Sequence, residues 1–381
     1  MSNYSCQPNE ADIFDIPNIR RCEKYVRYIQ QKLDRAVADD DKAKIRWYFH
    51  LLNKRSKGAK ILAVYKITTL NQGKYTAGID KIALPKGDRR RQNRFKQQLL
   101  SQIDVDKRPD PIRRVYIPKP NGKKRPLGIA TLLDRCIQEI FRQALEPIVE
   151  YHFSERSFGF RPQRRCHDAI ADLFGKLCTK NSRRWIVEGD ISGCFDNLGH
   201  NHILNTLKRW HVPQPALSVL QRMLRAKICD QGTISDTETG TPQGSPLSPL
   251  LANVALTSLD NFCQERYGWK GKLRRAGKSI SYKLNPISRY ADDWVVVCRC
   301  KEEAETIKRE IAQYLSETIG VELSDEKTHI TEISEGFHFL GFHIRKYIPQ
   351  GKKRSHLKKK SPNQERLLIK PQNVLVSDML Q

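Results

Sequence analysis

The chain has 381 residues, and its 68 lysines and arginines outnumber its 42 aspartates and glutamates to give a formal net charge of +26. This charge indicates a polyanionic partner, for which nucleic acid is the default, although a solvated basic surface is the alternative. No apolar run approaches the ~20 residues that a membrane-spanning helix needs, and the first residues lack the apolar core of a signal peptide. We therefore expect a protein without membrane contact, in the cytoplasm of a bacterium or the interior of an organelle.

The first segment, residues 1–95, is predicted to be a helical module. Apolar and aromatic side chains recur there at three- and four-residue spacing, at Tyr25, Val26, Ile29 and Leu33. Residues 86–100 predict a further helix that is polar and basic. The module could serve as a small amphipathic packing unit or as a grip on nucleic acid, and its sequence favours neither.

Residues 113–130 predict a β-hairpin, because Asn121-Gly122 stands between two β-rich flanks and this dipeptide favours a two-residue turn. The hairpin carries six basic side chains: Arg113, Arg114, Lys119, Lys123, Lys124 and Arg125. A helix is predicted next, over residues 134–149.

The rest of the chain alternates predicted strands and helices. Helices are expected over 200–210, 247–263 and 301–319. A strand is expected over 185–192, and two hairpins, each of two strands joined by a turn, are expected over 287–298 and 336–344. Residues 240–246 form a polar loop and residues 268–284 a basic loop. From residue 345 onward the chain is rich in lysine and arginine, and we expect a poorly packed tail that can bind phosphates.

Acidic side chains stand at the ends of two apolar β segments. Asp190 follows the segment 185–189, and Asp292 and Asp293 lie at the turn within 287–298. Adjacent buried carboxylates repel each other and lose hydration, a cost that divalent cations remove. Mg²⁺ prefers carboxylate oxygens together with substrate phosphates, and two such ions can clamp an in-line phosphoryl displacement. A solvated hairpin turn is the simpler interpretation of Asp292-Asp293 taken alone.

Several motifs in one order resemble those of group II intron-encoded reverse transcriptases. Tyr290-Ala291-Asp292-Asp293 looks like the catalytic box of reverse transcriptases, and the segments 190–196 and 242–249 are similar to the boxes that precede it in right-handed polymerases. Further similar segments are the hairpin 116–129, Phe158-Gly159-Phe160-Arg161-Pro162, residues 323–328, and Phe339-Leu340-Gly341-Phe342. The resemblance runs from about residue 20 to residue 345.

The resemblance implies a metal site. Asp190 and Asp292 would be the main ligands, Asp293 a weaker ligand, and the backbone carbonyl of Ile191 would complete the shell. The implied cofactor is a pair of Mg²⁺ ions, for which Mn²⁺ could substitute.

It also implies a nucleotide site and a primer site. Lys119 and Arg125 would grip the incoming triphosphate, since phosphoryl transfer rests on positioning and charge neutralisation. Phe195 would exclude a ribose 2′-hydroxyl, and Gln243 and Gly244 would pack against the nucleotide and template. Lys327 would protonate the departing pyrophosphate, and the hairpin Phe339–Phe342 would hold the primer end. The plainer alternatives are phosphate-backbone binding for the two hairpin cations, a core aromatic for Phe195, and a surface lysine for Lys327.

The implied fold is α+β: a right-hand polymerase with an antiparallel-sheet palm. We divide it into the N-terminal module 1–95, a reverse transcriptase domain 96–344 with fingers to about 184 and palm from about 185, and a basic tail 345–381. The implied function is RNA-directed DNA polymerisation for a group II intron, with intron RNA as template, a DNA primer and dNTPs. Assistance to intron splicing and mobility is a further implied role.

The chain departs from the family pattern because no helical thumb is recognisable after the palm. We therefore expect a fragment of a mobile-element protein, whose processive synthesis and splicing are in doubt. Two other functions stay open. A non-catalytic or decayed maturase fragment would bind intron RNA without needing the aspartates, and an RNA-dependent RNA polymerase would need a smaller side chain than Phe195.

Overall fold

The computed structural model of the protein describes residues 13–118, 122, 124–178, 183–275, 278–348 and 365–372, with the backbone alone for 271–275 and 278–283. These residues belong to two compact units. The first lies within Met1–His152 and Ile203–Leu251, and the second within Phe153–His202 and Ala252–Gln381. The predicted division into module, fingers, palm and tail stays a prediction.

The α-helices include those predicted over 86–100, 134–149, 200–210, 247–263 and 301–319, together with three over 166–177, 194–197 and 214–224 that were not predicted. They are α1 (Ile16–Ala38), α2 (Lys42–His50), α3 (Lys57–Tyr65), α4 (Arg89–Ser101), α5 (Leu132–His152), α6 (Cys166–Leu177), α7 (Cys194–Asn197), α8 (His200–Arg209), α9 (Gln214–Leu224), α10 (Ser248–Tyr267) and α11 (Lys301–Tyr314). Wider π-type turns extend three of them, at Leu51–Arg55, Lys66–Leu70 and Leu315–Ile319, and short 3₁₀ turns occur at Gln72–Tyr75 and Asp325–Lys327.

The strands are mostly short. They are β1 (Ile112–Pro118), β2 (Lys124–Ile129), β3 (Trp185–Gly189), β4 (Ile191–Ser192), β5 (Ile228–Asp230), β6 (Thr233–Ser235), β7 (Trp269–Arg275), β8 (Lys278–Leu284), β9 (Ile287–Tyr290), β10 (Asp293–Cys298), β11 (Glu322–Leu323), β12 (His329–Glu332), β13 (Phe337–Phe339), β14 (Phe342–Tyr347) and β15 (Arg366–Pro371). Antiparallel pairs predominate, so the predicted α+β class is confirmed.

The first unit is built on helices. The Asp15 carboxylate caps α1 by accepting a hydrogen bond from the Asn18 backbone N–H at 2.7 Å. Val26, Ile29 and Leu33 are buried as the spacing predicts, whereas Tyr25 is 47% exposed and lies outside the core. The apolar stripe of α1 is therefore narrower than the sequence pattern indicates.

A four-stranded sheet, in the order β2-β1-β5-β6, completes the first unit. The predicted hairpin is confirmed: β1 and β2 are antiparallel, with Tyr116 opposite Pro126 and Ile117 opposite Arg125. The predicted turn residue Asn121 lies outside the described residues, as do Lys119 and Lys123.

The second unit is centred on an antiparallel sheet in the order β12-β3-β10-β9. Ile186 of β3 and Val295 and Val297 of β10 share one core cluster with Leu173 of α6. Trp294, on the opposite side of β10 from Val295, is also fully buried. Both faces of β10 are covered, which is typical of strands that are apolar along almost their whole length. Asp293, at the start of β10, is the one charged residue of the strand.

Two of the predictions for basic segments are wrong. Residues predicted as a basic loop, 268–284, form the antiparallel hairpin of β7 and β8. Part of the predicted poorly packed tail forms β15, which pairs along its length with β14. Leu367 and Ile369 pack against the core cluster of the second unit, and this apolar burial outweighs the charge run that motivated the prediction. Residues 349–364 and 373–381 lie outside the described residues.

A membrane-spanning helix was not expected, and none of the helices in the described ranges is both long and apolar enough to cross a bilayer.

Candidate active site

Asp190 stands at the end of the central strand β3. Its residue is 8% exposed, and it lies directly after Gly189, the last residue of the strand. The Asp190 backbone carbonyl accepts a hydrogen bond from the Ser324 N–H at 2.9 Å. Ile191, the predicted backbone ligand, is buried and pairs with Leu323 through β4 and β11. The backbone on both sides of the carboxylate is thus held by sheet pairing.

The second acidic position is the turn between β9 and β10. Ala291 is buried and has a φ of +59°, a left-handed conformation that lets the chain reverse tightly. In the pairing of β10 with β3, Trp294 lies opposite Gly189, so the same register extended by one residue brings Asp293 opposite Asp190. The strands therefore bring together acidic residues that are about a hundred positions apart in the sequence.

The carboxylates influence one another electrostatically. The pKa of Asp293 is raised to about 6, first by desolvation of its carboxylate and then by the negative charges of Asp292 and Asp190. Asp293 as a whole residue is exposed, so solvent reduces the desolvation of its carboxylate, and the two neighbouring negative charges act in the same direction. A bound cation would relieve this repulsion.

The donor set fits Mg²⁺ in the way that this ion usually binds. Within the described parts of the chain, no group of three or more His, Cys, Asp or Glu side chains is gathered closely enough to form a metal cage. Mg²⁺ needs no such cage, because it typically binds one or two carboxylates and completes its octahedral shell with water and substrate phosphates. Asp190 and Asp292 offer the oxygen ligands for that mode.

Lys327 lies at the same carboxylate. Its ammonium group donates a hydrogen bond to Oδ2 of Asp190, and this contact is the largest cause of the raised pKa of Lys327. The lysine ends the 3₁₀ turn Asp325–Lys327, whose start is fixed by the bond between Ser324 and Asp190. The structure thus brings the predicted proton donor to the predicted metal ligand, across 137 residues of sequence.

Phe195 lies near these residues in the chain, on the short helix α7. Gly193, with a φ of +54°, turns the backbone into the helix. The Phe195 ring is half-buried, and its centroid is 6.3 Å from that of Phe160.

Two of the predicted nucleotide-binding residues of the first unit, Gln243 and Gly244, lie beside strand β2. The Gln243 carbonyl accepts a hydrogen bond from the Gly128 N–H of β2 at 2.8 Å, and Gly244 follows with a φ of +106°. Arg125 is exposed on the same strand β2. Lys119, their predicted partner, lies outside the described residues.

The predicted primer hairpin is formed as expected. Phe339 and Phe342 lie opposite each other in β13 and β14, and Leu340 and Gly341 make the two-residue turn, both with positive φ. Glu188 accepts a hydrogen bond from the backbone N–H of His338. The hairpin is therefore tied to β3 two residues before Asp190.

A buried polar network, which the sequence motifs did not indicate, supports the acidic turn. The Arg289 guanidinium makes a bidentate pair with Asp260, at 2.9 and 2.7 Å, and neither side chain is exposed. Its Nη1 donates to the carbonyl of Ala291 and to Oδ1 of Asn253, both at 2.9 Å. The available signal was a charged residue in a strand that directly precedes the acidic turn, since a charge buried there must be paired.

The comparison with known protein families now decides the identity. Residues 117–344, more than half of the chain, match the family described as reverse transcriptase (RNA-dependent DNA polymerase). The chain belongs to the reverse transcriptase family. Residues 16–97 of this reverse transcriptase match the N-terminal domain of reverse transcriptase.

Individual relatives agree with this assignment. Protein YkfC of Escherichia coli is 33% identical to the reverse transcriptase over 355 residues, which cover 86% of this chain and 90% of YkfC. The group II intron-encoded protein LtrA of Lactococcus lactis is 33% identical over 72% of this chain and 53% of its own length. A putative COX1/OXI3 intron 1 protein of Saccharomyces cerevisiae is 30% identical over 61% of this chain and 32% of its own.

The reverse transcriptase therefore spans about half of LtrA and almost all of YkfC. The predicted resemblance to group II intron-encoded reverse transcriptases and maturases is confirmed, as is the prediction of an RNA-directed DNA polymerase with a right-hand polymerase fold.

Proposed function

We propose that this chain adds deoxynucleotides to a primer 3′-hydroxyl on an intron RNA template by a two-metal mechanism. The single observation that supports the proposal most is the end of the β3-β10 pair, where Asp190 and the turn at Asp292 and Asp293 meet beside a lysine. Paired strand ends with carboxylates and a proton donor suit phosphoryl transfer, which depends on charge neutralisation and positioning.

The metal would be held by Asp190 and Asp292, with Asp293 and the carbonyl of Ile191 in support. When bound, two Mg²⁺ ions would activate the attacking hydroxyl and stabilise the leaving pyrophosphate. Asp293 is suited to a supporting place, because its raised pKa disfavours the charged form that would bind a cation.

Lys327 would deliver the proton to the pyrophosphate. Its raised pKa keeps the ammonium protonated near neutral pH, and its side chain is 66% exposed, which leaves it accessible to a substrate. The pair with Asp190 must then loosen when substrate enters. Lys119 and Arg125 would neutralise the triphosphate, and Gln243 and Gly244, beside β2, would form part of the same nucleotide site.

Phe195 would select deoxynucleotides. Its half-buried ring leaves no room for a 2′-hydroxyl if the sugar lies against it, and a ribonucleotide polymerase would need a smaller or polar residue there. The hairpin Phe339–Phe342 would hold the primer end, and its attachment to β3 through Glu188 supports this role.

Primer extension tests the proposal. Purified protein with an annealed RNA template, DNA primer, dNTPs and Mg²⁺ should extend the primer, and Asp292→Asn should abolish extension because it removes a metal-binding charge. Asp236→Asn is the matched control, since this aspartate is 81% exposed and belongs to the first unit. Equal extension by Asp292→Asn and the wild type would refute the proposed site.

Assistance to intron RNA is the second proposed role. The net charge of +26 supports it, and filter binding to the intron RNA at two salt concentrations would measure it. Tight, salt-dependent binding without any extension would favour the non-catalytic maturase function over the polymerase.

A further inference from the structure

Phe160 combines two features that are unusual for a phenylalanine. The residue is 56% exposed, and its backbone has a φ of +57°, in the left-handed region that bulky residues rarely adopt. Strained backbone of this kind persists only where the surrounding structure holds it, and it is concentrated at functional sites. The segment around Phe160 resembles a family motif, yet the roles considered so far leave this side chain unused.

The residues before Phe160 are fixed to the strand that leads into the acidic turn. The Phe158 N–H donates to the Arg289 carbonyl at 2.9 Å, and Asn253 Nδ2 donates to the Gly159 carbonyl at 2.7 Å. A Cβ at Gly159 would lie 2.4 Å from the backbone nitrogen of Ala291, so only glycine permits this approach. The segment and the turn therefore form one rigid arrangement.

The residue after Phe160 is fixed as firmly. The Arg161 guanidinium donates to the carbonyls of Ser154 and Ser157 at 2.6 and 2.8 Å and lies over the ring of Phe153. The residue is 8% exposed. With both neighbours held in place, the backbone of Phe160 is fixed, and so is the point from which its ring projects.

The ring of Phe160 meets the ring of Phe195 edge to face. The centroids are 6.3 Å apart and the planes are inclined by 79°, a favourable geometry for two aromatic rings. Phe195 itself lies on a helix of one turn and is only half-buried, so its ring orientation depends on contacts such as this one.

We propose that Phe160 is a positioning residue for sugar selection, which keeps the Phe195 ring turned against the 2′ position of the incoming nucleotide. The proposal rests on the proposed function of Phe195 as the sugar-selecting residue. A steric block works only if the blocking ring cannot rotate aside. The rigid segment 158–161 supplies the fixed wall that prevents this rotation, and the exposure and strain of Phe160 follow from that task.

The test compares incorporation of a dNTP and the matching NTP by steady-state kinetics on one primer-template. Loss of one edge-to-face contact in Phe160→Ala should lower the kcat/KM ratio of dNTP to NTP by roughly 2- to 10-fold, mainly by improving NTP use. Phe160→Tyr keeps the ring and should keep the ratio. Phe174→Ala is the matched control, because that phenylalanine is 49% exposed on α6 in the same unit.

A second ring-deleting variant guards against a folding defect. Phe160→Asn accepts the left-handed backbone and should show the same loss of selectivity as Phe160→Ala. An unchanged ratio in a folded ring-deleted variant would overturn the role of Phe160 while leaving the polymerase function intact. Absence of extension by the wild type would instead overturn the proposed function and this inference together. A loss of selectivity equal in Phe174→Ala would also contradict the inference.

Discussion

Replacing Asp260 with asparagine should strongly destabilise the second unit. The change keeps the side-chain volume but removes the only negative charge in the bidentate contact with Arg289, whose guanidinium is fully buried. Removing one partner of a buried ion pair typically costs about 3–5 kcal/mol, because the remaining charge is left in a low-dielectric environment. The asparagine oxygen can still accept one hydrogen bond, so we expect about 3 kcal/mol, the lower end of that range.

Urea unfolding followed by tryptophan fluorescence would measure this loss, since Trp294 is fully buried in the same sheet. Glu305→Gln is the control: its ion pair with Lys301 has both side chains more than half exposed, and its loss should cost about 0–1 kcal/mol. A cost below about 1 kcal/mol for Asp260→Asn would refute the reasoning that the buried charge needs its partner.

The same variant should affect chemistry beyond stability. Arg289 also donates to the carbonyl of Ala291, the residue before Asp292. A loosened guanidinium would therefore loosen the acidic turn. In folded Asp260→Asn protein at low temperature, we expect primer extension to need more Mg²⁺ than in the wild type, whereas binding of the template-primer should be little changed. An unaltered Mg²⁺ requirement would show that the pair of Arg289 and Asp260 does not support the acidic turn.

Two further predictions concern strand β3. A methyl group at Gly189 would lie 2.3 Å from the buried Trp294 ring. Gly189→Ala should therefore lower the free energy of unfolding, measured by urea titration, by about 1–3 kcal/mol. Wild-type stability of this variant would contradict the packing argument. Burial raises the pKa of Glu188 from 4.5 to about 7. The folded chain therefore holds a proton that the unfolded chain releases between those values, and stability falls as pH rises through that interval. Glu188→Gln should weaken this decline in melting temperature between pH 5 and 8, and parallel profiles for the two proteins would show that Glu188 does not cause it.

Local sequence patterns were sufficient for much of the fold. Helical spacing predicted α1 and α11, and Gly320, at the predicted end of the helical region, adopts the left-handed conformation that often ends helices. The strand-turn-strand pattern around Asp292 predicted β9 and β10. These features depend on residues within a few positions of one another, so periodicity and turn preferences carry the information. Several motifs in one order likewise indicated the family from the sequence alone.

Burial and long-range pairing depended on the tertiary structure. The sequence contained the short apolar run Leu367-Leu368-Ile369 of β15, but a partner strand and an apolar surface were needed to make it a strand. The lysines and arginines around the run hid it. The exposed side of α1 at Tyr25 was misjudged for the same reason, because helical spacing does not say how wide a surface the neighbouring helices cover.

For the candidate site, the sequence determined which residues carry charge, and the tertiary structure decided which of them meet. The aspartates were evident from their positions at the ends of apolar segments. The contact of Lys327 with Asp190, the burial of Arg289 against Asp260, and the meeting of Phe160 with Phe195 join residues 137, 29 and 35 positions apart. No local pattern specifies such contacts, because they arise only when the strands are paired and the helices packed. For the two charged contacts, the cost of leaving a buried charge unpaired favours the packing that pairs it.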